Sequence, residues 1–119
     1  MITALLLIAH GSPREESNRD VERVVNRVRE HRGYDFVKIA YLDCNDPNIP
    51  DGIRECVAVG AERIVCVPYF LHAGRHVSLD IPAIVQQAAR EHKHVGFLLS
   101  PLIGRSTSIT EILKRRASK

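Results

Sequence analysis

Two histidines, His10 and His76, stand near the ends of apolar segments and could bind a metal ion. His10 follows the apolar run 5–8, and Gly11 allows a sharp backbone turn after it. His76 lies within a loop of about ten residues at positions 68–77. Imidazole suits cobalt, nickel, iron and zinc, and two imidazoles with one carboxylate leave coordination positions open. The spacing is compatible with a site that holds a divalent ion and then releases it, although two unrelated loop histidines among six would give the same pattern.

Asp43, Cys44 and His72 are further candidates near the predicted strand ends. The Asp43 carboxylate could be a third ligand or a base for proton removal, and a solvated turn aspartate is the simpler interpretation. A Cys44 thiolate would hold an ion too tightly for release, so we expect a structural role for this residue. His72 precedes His76 by four positions and could share its face only if the loop is helical there.

Ser12 raises the alternative of a serine hydrolase, since it lies two residues after His10. The segment 10–14 does not match the G-x-S-x-G pattern of a nucleophile elbow, and no orienting acid is evident. We expect Ser12 to cap a helix or to contact an anion instead. No glycine-rich phosphate-binding motif accompanies it.

Composition narrows the class of protein. A chain of 119 residues with 45% hydrophobic residues is expected to form one domain, residues 1–119. Its apolar runs are too short for a membrane span or a signal peptide. Three cysteines without a C-x-x-C pair predict a reducing, cytoplasmic setting. The lack of aromatics among the basic residues argues against a nucleic-acid partner, while the net charge of +3 would suit a small acidic ligand equally well.

Apolar and amphipathic segments alternate in the order β-α-β-α-β-α-β-α. The later strands are predicted at residues 36–42, 62–67 and 95–99. A helical region spans Pro13 to Arg32, and of two start signals, at Ser12 and Ser17, we favour Ser17 because a loop beside His10 leaves room for a ligand. The expected caps of the later helices are Asn48 or Asp46, then Ser78 or Asp80, then Ser108.

This order predicts an α/β fold, a three-layer sandwich whose four-stranded parallel sheet carries helices on both faces. A strand order of 2-1-3-4 is a common solution for a small sheet of this kind. All strand-to-helix loops then emerge at one edge, which gathers the candidates His10, Asp43, His72 and His76 together with Gly104.

Five segments in this order together resemble the small sirohydrochlorin chelatases, over nearly the whole chain. They are Ala9-His10-Gly11-Ser12; Tyr41-Leu42-Asp43 with Pro47 and Ile49-Pro50; Gly60-Ala61 with residues 64–71; Gly74-Arg75-His76-Val77 with Asp80-Ile81-Pro82; and Pro101-Leu102-Ile103-Gly104. The resemblance implies a chelatase-like domain that corresponds to half of a longer bilobed enzyme. It also implies homodimers in which two rims face each other across the substrate.

The activity that the resemblance implies is insertion of a divalent ion, Co²⁺ or Fe²⁺ and sometimes Ni²⁺, into sirohydrochlorin or a related tetrapyrrole. The metal is then a substrate, no organic cofactor is needed, and the product could serve sirohaem, cobalamin or a nickel cofactor. Carried over by position, His10 and His76 are the metal ligands, and with Asp43 they form the catalytic set. Several relatives have glutamate at the position of Asp43, whose shorter side chain could act through water or electrostatically.

The tetrapyrrole is expected to place its carboxylates near Ser12, Arg14 and Arg75, although solvated charge is an equally simple role for the two arginines. One alternative function is a metal-binding or metal-delivery module that uses the same histidines without turnover. The packing of the last helix, in the monomer or in a dimer, stays open at this point.

Overall fold

The computed structural model describes residues 1–31 and 33–118, except for the side chain of His76. Its elements are β1 Thr3–Ala9, α1 Glu15–Glu30, β2 Phe36–Tyr41, α2 Ile49–Ala58, β3 Arg63–Pro68, a π-helix His76–Asp80, α3 Ile81–Glu91, β4 Gly96–Leu99, a 3-10 turn Ile103–Arg105 and α4 Thr107–Ala117. Within the described residues, no helix is both long and apolar enough to cross a membrane.

The sheet is built around β1, which lies between β2 and β3 in the strand order β2-β1-β3-β4. All neighbouring strands are parallel, and Leu5 is flanked by Val37 on one side and Val65 on the other. Residues 4–9 of β1 are all buried, as an unbroken apolar run in a central parallel strand requires. The predicted parallel sheet is confirmed, and its strand order, which the sequence alone does not determine, is the common one.

Helices cover both faces of the sheet because alternate side chains of each strand point to opposite sides. Leu6 and Ile8 of β1 pack with residues of α2 and α3, such as Ile53 and Ile81, in one core. Leu5 and Leu7 pack beneath Val25 of α1 in the other core. The predicted three-layer α/β sandwich is therefore confirmed.

Helix α4 departs from this layering. The element against which it packs is the short 3-10 turn that precedes it, and within the described chain none of its residues is buried. The radius of gyration is 14.7 Å, whereas a compact chain of this length is expected near ~13.5 Å. The molecule is thus elongated, with extents of 49 × 32 × 27 Å.

Two of the predicted helix starts, those of α1 and α4, are wrong. Helix α1 begins at Glu15 rather than after Ser17, because the backbone N–H of Arg14 donates to Ser12 Oγ and Asn18 Nδ2 donates to the carbonyl of Ser12. These bonds fold the chain directly into the helix and leave a shorter loop beside His10. The predicted end of this helix, Arg32, lies outside the described residues.

Of the expected caps of the later helices, two are found at the predicted residues and one is not. Asn48 caps α2 by accepting a hydrogen bond from the backbone N–H of Asp51. Asp80 occupies the N-cap position of α3 without a side-chain capping bond. Ser106, not Ser108, caps α4, and its Oγ accepts from the N–H of Ser108. The predicted strand boundaries differ from the observed ones by a single residue at some ends.

The three cysteines are free thiols, and only Cys44 is exposed. Burial raises the pKa of Cys56 to about 11 and that of Cys66 to about 12. At pH 8 we therefore expect Ellman's reagent to modify one thiol in the folded protein and three after unfolding in guanidinium chloride. The Cys44→Ser variant is the control, and rapid reaction of two or more thiols in the folded protein would contradict this packing.

Candidate functional site

A cavity of about 480 Å³ opens at the carboxyl edge of the sheet, where the loops after β1 and β2 meet the start of α3. Its lining residues are His10, Leu42, Asp43, Asp80, Ala83 and Ile84. The carboxyl ends of parallel strands are where ligands bind in open α/β sheets. The structure thus brings His10 and Asp43 to one cavity, as their positions after neighbouring strands predict.

The loops that carry His10 and Asp43 are joined by backbone hydrogen bonds that continue the β1–β2 pairing beyond the strands. The N–H of Leu42 donates to the carbonyl of Ala9, and the N–H of Asp43 donates to the carbonyl of His10, each at 2.9 Å. The distance between the two candidate residues is therefore set by the sheet register.

Gly11 allows the two loops to approach this closely. Its φ is +90°, in the region that glycine adopts readily. A Cβ at this position would lie 1.9 Å from the carbonyl oxygen of Asp43. No side chain fits there without moving one of the loops, so the glycine after His10 is a requirement of the site's geometry.

Asn45 is a residue whose role the sequence did not indicate. Its Oδ1 accepts a 2.7 Å hydrogen bond from the backbone N–H of Ser12, in a partly buried position. Asn18 of α1 donates to the carbonyl of Ser12 at 2.9 Å from the other side. The loop after β1 is thus held between α1 and the loop after β2. In the sequence, the only indication of this role is the presence of an amide side chain two residues after Asp43.

The Ser12 hydroxyl belongs to this backbone framework. Its Oγ accepts the N–H of Arg14 at 3.1 Å, in the turn that precedes α1. The N-cap of α1 is Arg14, without a side-chain capping bond, so the expected capping role of Ser12 is wrong. The imidazole of His10 is exposed, and its Nδ1 lies 3.1 Å from the carbonyl oxygen of Gly11.

The loop after β3 leads into a π-helix, His76–Asp80. Such short π-helical segments occur often at functional sites. Asp80, the last residue of this segment, lines the cavity, whereas the sequence predicts it only as a helix cap. The one indication of a further role in the sequence is that Asp80 follows His76 by four residues, a spacing that places two residues on one side of a helix.

The structure describes the backbone of His76 but not its side chain. The predicted role of His76 as a metal ligand therefore lies outside what is described. Among the described side chains, no group of three or more histidines, cysteines or acids is arranged to hold a metal ion.

The other candidates lie around the cavity and do not line it. Arg14 and Arg75 are exposed. His72 is exposed in a bend, outside the helical segment, so the helical condition for its sharing a face with His76 is not met. Cys44 is exposed with a φ of +66°, and its N–H donates to Asp43 Oδ1 at 2.8 Å. These contacts support a structural role for Cys44.

The loop after β4 supports the loop that leads to His76. The N–H of Gly104 donates to the carbonyl of Phe70 at 2.9 Å. A Cβ on Gly104 would lie 1.8 Å from the carbonyl oxygen of Leu71, so only glycine allows this contact. Gly104, predicted at this edge, therefore positions a neighbouring loop.

Comparison with known proteins connects this geometry to a family. The family model described as CbiX matches residues 4–119. The chain belongs to the CbiX family. This confirms the resemblance drawn from the five sequence segments.

The CbiX relatives include both longer and similar-sized proteins. The chain is 34% identical over 112 residues to the chloroplastic sirohydrochlorin ferrochelatase of Arabidopsis thaliana, covering 94% of this chain and 50% of that one. It is 30% identical over 115 residues to the sirohydrochlorin cobaltochelatase of Sulfolobus acidocaldarius, covering 97% and 89%. The fold matches the cobalt complex of the sirohydrochlorin chelatase SirB from Bacillus subtilis subspecies spizizenii, with a TM-score of 0.89, 24% identity, and coverage of 99% and 50%. The chain thus spans about half the length of several of these relatives.

The role of Asn45 can be tested by removing its side-chain amide. In Asn45→Ala the N–H of Ser12 loses its acceptor, so we expect the free energy of unfolding to fall by ~1–3 kcal/mol in urea titrations. Asn26→Ala is a matched control, because Asn26 is exposed on α1 and bonds only locally to Arg29 among the contacts described. Equal stability of both variants and the native protein would contradict the bridging role.

Proposed function

We propose that this chain is a sirohydrochlorin chelatase, a lyase-type enzyme that inserts Co²⁺ or Fe²⁺, and in some settings Ni²⁺, into sirohydrochlorin or a related tetrapyrrole. The observation that carries the proposal is the shared cavity of His10 and Asp43 at the carboxyl edge of a CbiX-family sheet. The names of its relatives, which are ferrochelatases and cobaltochelatases of sirohydrochlorin, support the substrate class.

The divalent ion is bound as a substrate by His10 and His76. His10 lines the cavity, and the π-helix that begins with His76 ends at Asp80, which lines the same cavity. Two imidazoles leave several coordination positions open, so the ion can pass to the pyrrole nitrogens without a change of fold. The carboxylates of Asp43 and Asp80 add negative charge that attracts a cation to the cavity.

Two protons leave the pyrrole nitrogens as the ion is transferred. Asp43 is placed to accept one, since it lines the cavity and its Oδ1 is oriented by the N–H of Cys44. Asp80 offers a second carboxylate in the same cavity. The shorter side chain of aspartate, relative to glutamate, is compatible with a proton acceptor that works directly or through water.

The peripheral carboxylates of the tetrapyrrole are bound by Arg14 and Arg75, whose guanidinium groups are exposed beside the cavity loops. Ser12 contributes to this subsite through the loop that its hydroxyl and N–H hold in place. Residues 1–119 act as a single chelatase-like domain and pair as a homodimer, so that two rims enclose the substrate. Three free thiols support a cytoplasmic location.

The direct test is anaerobic incubation with sirohydrochlorin and Co²⁺, Fe²⁺ or Ni²⁺ in turn, followed by the absorbance change of the tetrapyrrole. We expect turnover above the uncatalysed rate, and a loss of at least about tenfold in His10→Ala and in His76→Ala, because each variant removes one imidazole ligand. His94→Ala is the control, since His94 is exposed and precedes β4 at the opposite edge.

Three outcomes separate the alternatives. Equal activity of the two histidine variants and the native protein would contradict the assignment. Metal binding that depends on both histidines, without turnover of any tetrapyrrole, would indicate a metal-delivery module. Ester hydrolysis that requires Ser12 and survives His76→Ala would indicate a serine hydrolase.

The two acids can be compared in the same assay. We expect Asp43→Asn and Asp80→Asn each to lower the rate of metal insertion by roughly 10- to 100-fold, because each removes a carboxylate from the cavity wall. Glu91→Gln is the matched control, since Glu91 is an exposed acid at the far end of α3. Full activity of Asp80→Asn would exclude Asp80 from the mechanism.

A further inference from the structure

A second cavity, of about 440 Å³, opens between the end of β4, the 3-10 turn that follows it and the start of α3. Its size lies in the ~300–1,000 Å³ range of small-molecule sites. Pro68, the last residue of β3, and Leu99, the last residue of β4, both line it, so it lies at the same edge of the sheet as the cavity of His10 and Asp43. We call it the β4 cavity and the cavity of His10 the metal cavity.

The π-helix His76–Asp80 borders both cavities. Val77 and Ser78 line the β4 cavity, whereas Asp80 lines the metal cavity. Leu79 lines neither of them and is 62% exposed. A ligand large enough to reach both cavities would therefore pass over this short helix and its exposed apolar side chain.

The two cavities carry opposite charges. Asp43 and Asp80 give the metal cavity two carboxylates. Among the described residues that line the β4 cavity, Arg105 alone carries a full charge, and it forms no ion pair within the described part of the chain. A cation is thus attracted to one cavity and an anion to the other.

The backbone of Arg105 is held firmly beside the β4 cavity. Arg105 ends the 3-10 turn, and its N–H donates to the carbonyl of Leu102 at 3.1 Å. The preceding Gly104 donates to the carbonyl of Phe70 at 2.9 Å and has no room for a side chain. Only the side chain of Arg105 has to become ordered when an anion binds, which keeps the entropic cost of binding low.

The rest of the lining suits an apolar group that carries a carboxylate. Ser78 offers a hydroxyl donor, whereas Ser100 Oγ already donates to the carbonyl of Pro101 at 3.0 Å. Most of the other lining side chains are apolar, such as Leu99 and Leu102. A guanidinium group binds a carboxylate through two parallel N–H donors.

We propose that the β4 cavity binds one carboxylate-bearing edge of the tetrapyrrole through Arg105, while the metal cavity presents the ion to the pyrrole nitrogens. The macrocycle then lies across the π-helix, where Leu79 contacts its apolar face. The opposite charges of the two cavities orient the substrate, since Asp43 and Asp80 repel its carboxylates and Arg105 attracts them. The inference rests on the proposed function, because it takes the tetrapyrrole as the ligand, and it adds Arg105 as a substrate-binding residue.

Binding of metal-free sirohydrochlorin tests the β4 cavity without turnover. We expect Arg105→Gln to raise the Kd, measured by titration of the tetrapyrrole absorbance, at least about tenfold, because a charge-assisted hydrogen bond is lost. Arg105→Lys keeps the charge but not the planar fork, so it recovers part of the loss. Arg63→Gln is the matched control, since Arg63 is exposed and begins β3 at the opposite edge of the sheet. An unchanged Kd in Arg105→Gln would overturn the proposal.

Binding of Co²⁺ alone shows whether Arg105 acts through the metal cavity. We expect the Kd for Co²⁺, measured by isothermal titration calorimetry, to stay within about twofold of the native value in Arg105→Gln, because Arg105 does not line that cavity. A parallel loss of Co²⁺ and sirohydrochlorin binding would indicate a displaced π-helix and would overturn the role of Arg105 in binding the substrate.

A free carboxylic acid is a second source of the same ligand chemistry, and succinate is the probe for it. We expect sirohydrochlorin to raise the Tm of the native protein more than that of Arg105→Gln, because a ligand stabilises the folded state in proportion to its affinity. If succinate raises the Tm of the native protein but not of Arg105→Gln, while the Kd for sirohydrochlorin is the same in both, the β4 cavity serves a separate small acid. That result would overturn the proposal.

Kinetics of metal insertion separate this inference from the proposed function. We expect Arg105→Gln to raise the KM for sirohydrochlorin with little change in kcat, because Arg105 holds the substrate equally well in the ground state and the transition state. A native enzyme with turnover and an unchanged KM in Arg105→Gln disproves the role of the β4 cavity and leaves the chelatase assignment standing. Binding of sirohydrochlorin that depends on Arg105, without turnover, does the reverse.

Discussion

The backbone hydrogen bonds between the loops after β1 and β2 determine the geometry of the site. They extend the parallel pairing past Ala9 and Tyr41, so that the register of β1 and β2 sets the separation of His10 and Asp43. Gly11 permits the close approach, and Asn45 completes it by bonding to the N–H of Ser12. A site held by sheet register is rigid on the side of these two strands, while the third loop approaches it from β3 through the π-helix.

This division suits the transfer of an ion between a protein and a macrocycle. One wall is fixed by the pairing of β1 with β2, and it carries the imidazole of His10 and the carboxylate of Asp43. Asp80 also lines the cavity, at the end of the π-helix that begins with His76. Most of the residues that line the cavity are exposed, so the proposed planar substrate could reach a bound ion from outside.

The fold could be predicted from the sequence because its signals are local and mutually consistent. The unbroken apolar run of β1 indicated a central strand, and the alternation of strands with helices required parallel pairing. His10 and Asp43 could be placed together for the same reason, since both follow neighbouring strands. The contacts of Asn45 and Ser12 could not be read from the sequence, because they join residues 33 positions apart. The start of α1 was misplaced because two serines gave the same capping signal, whereas the helix begins at Glu15 after Arg14, without a side-chain capping bond. The apolar pattern of α4 indicated a helix but not the surface that it covers.

The central claim is that the cavity lined by His10 holds the divalent ion, and anomalous diffraction from crystals soaked anaerobically with Co²⁺ tests it most directly. We expect an anomalous peak in this cavity with imidazole nitrogens of His10 and His76 at ~2.0–2.2 Å, as for other imidazole-bound divalent metals. Co²⁺ bound at other histidines, such as His92 or His94, with no peak beside His10, would contradict the account.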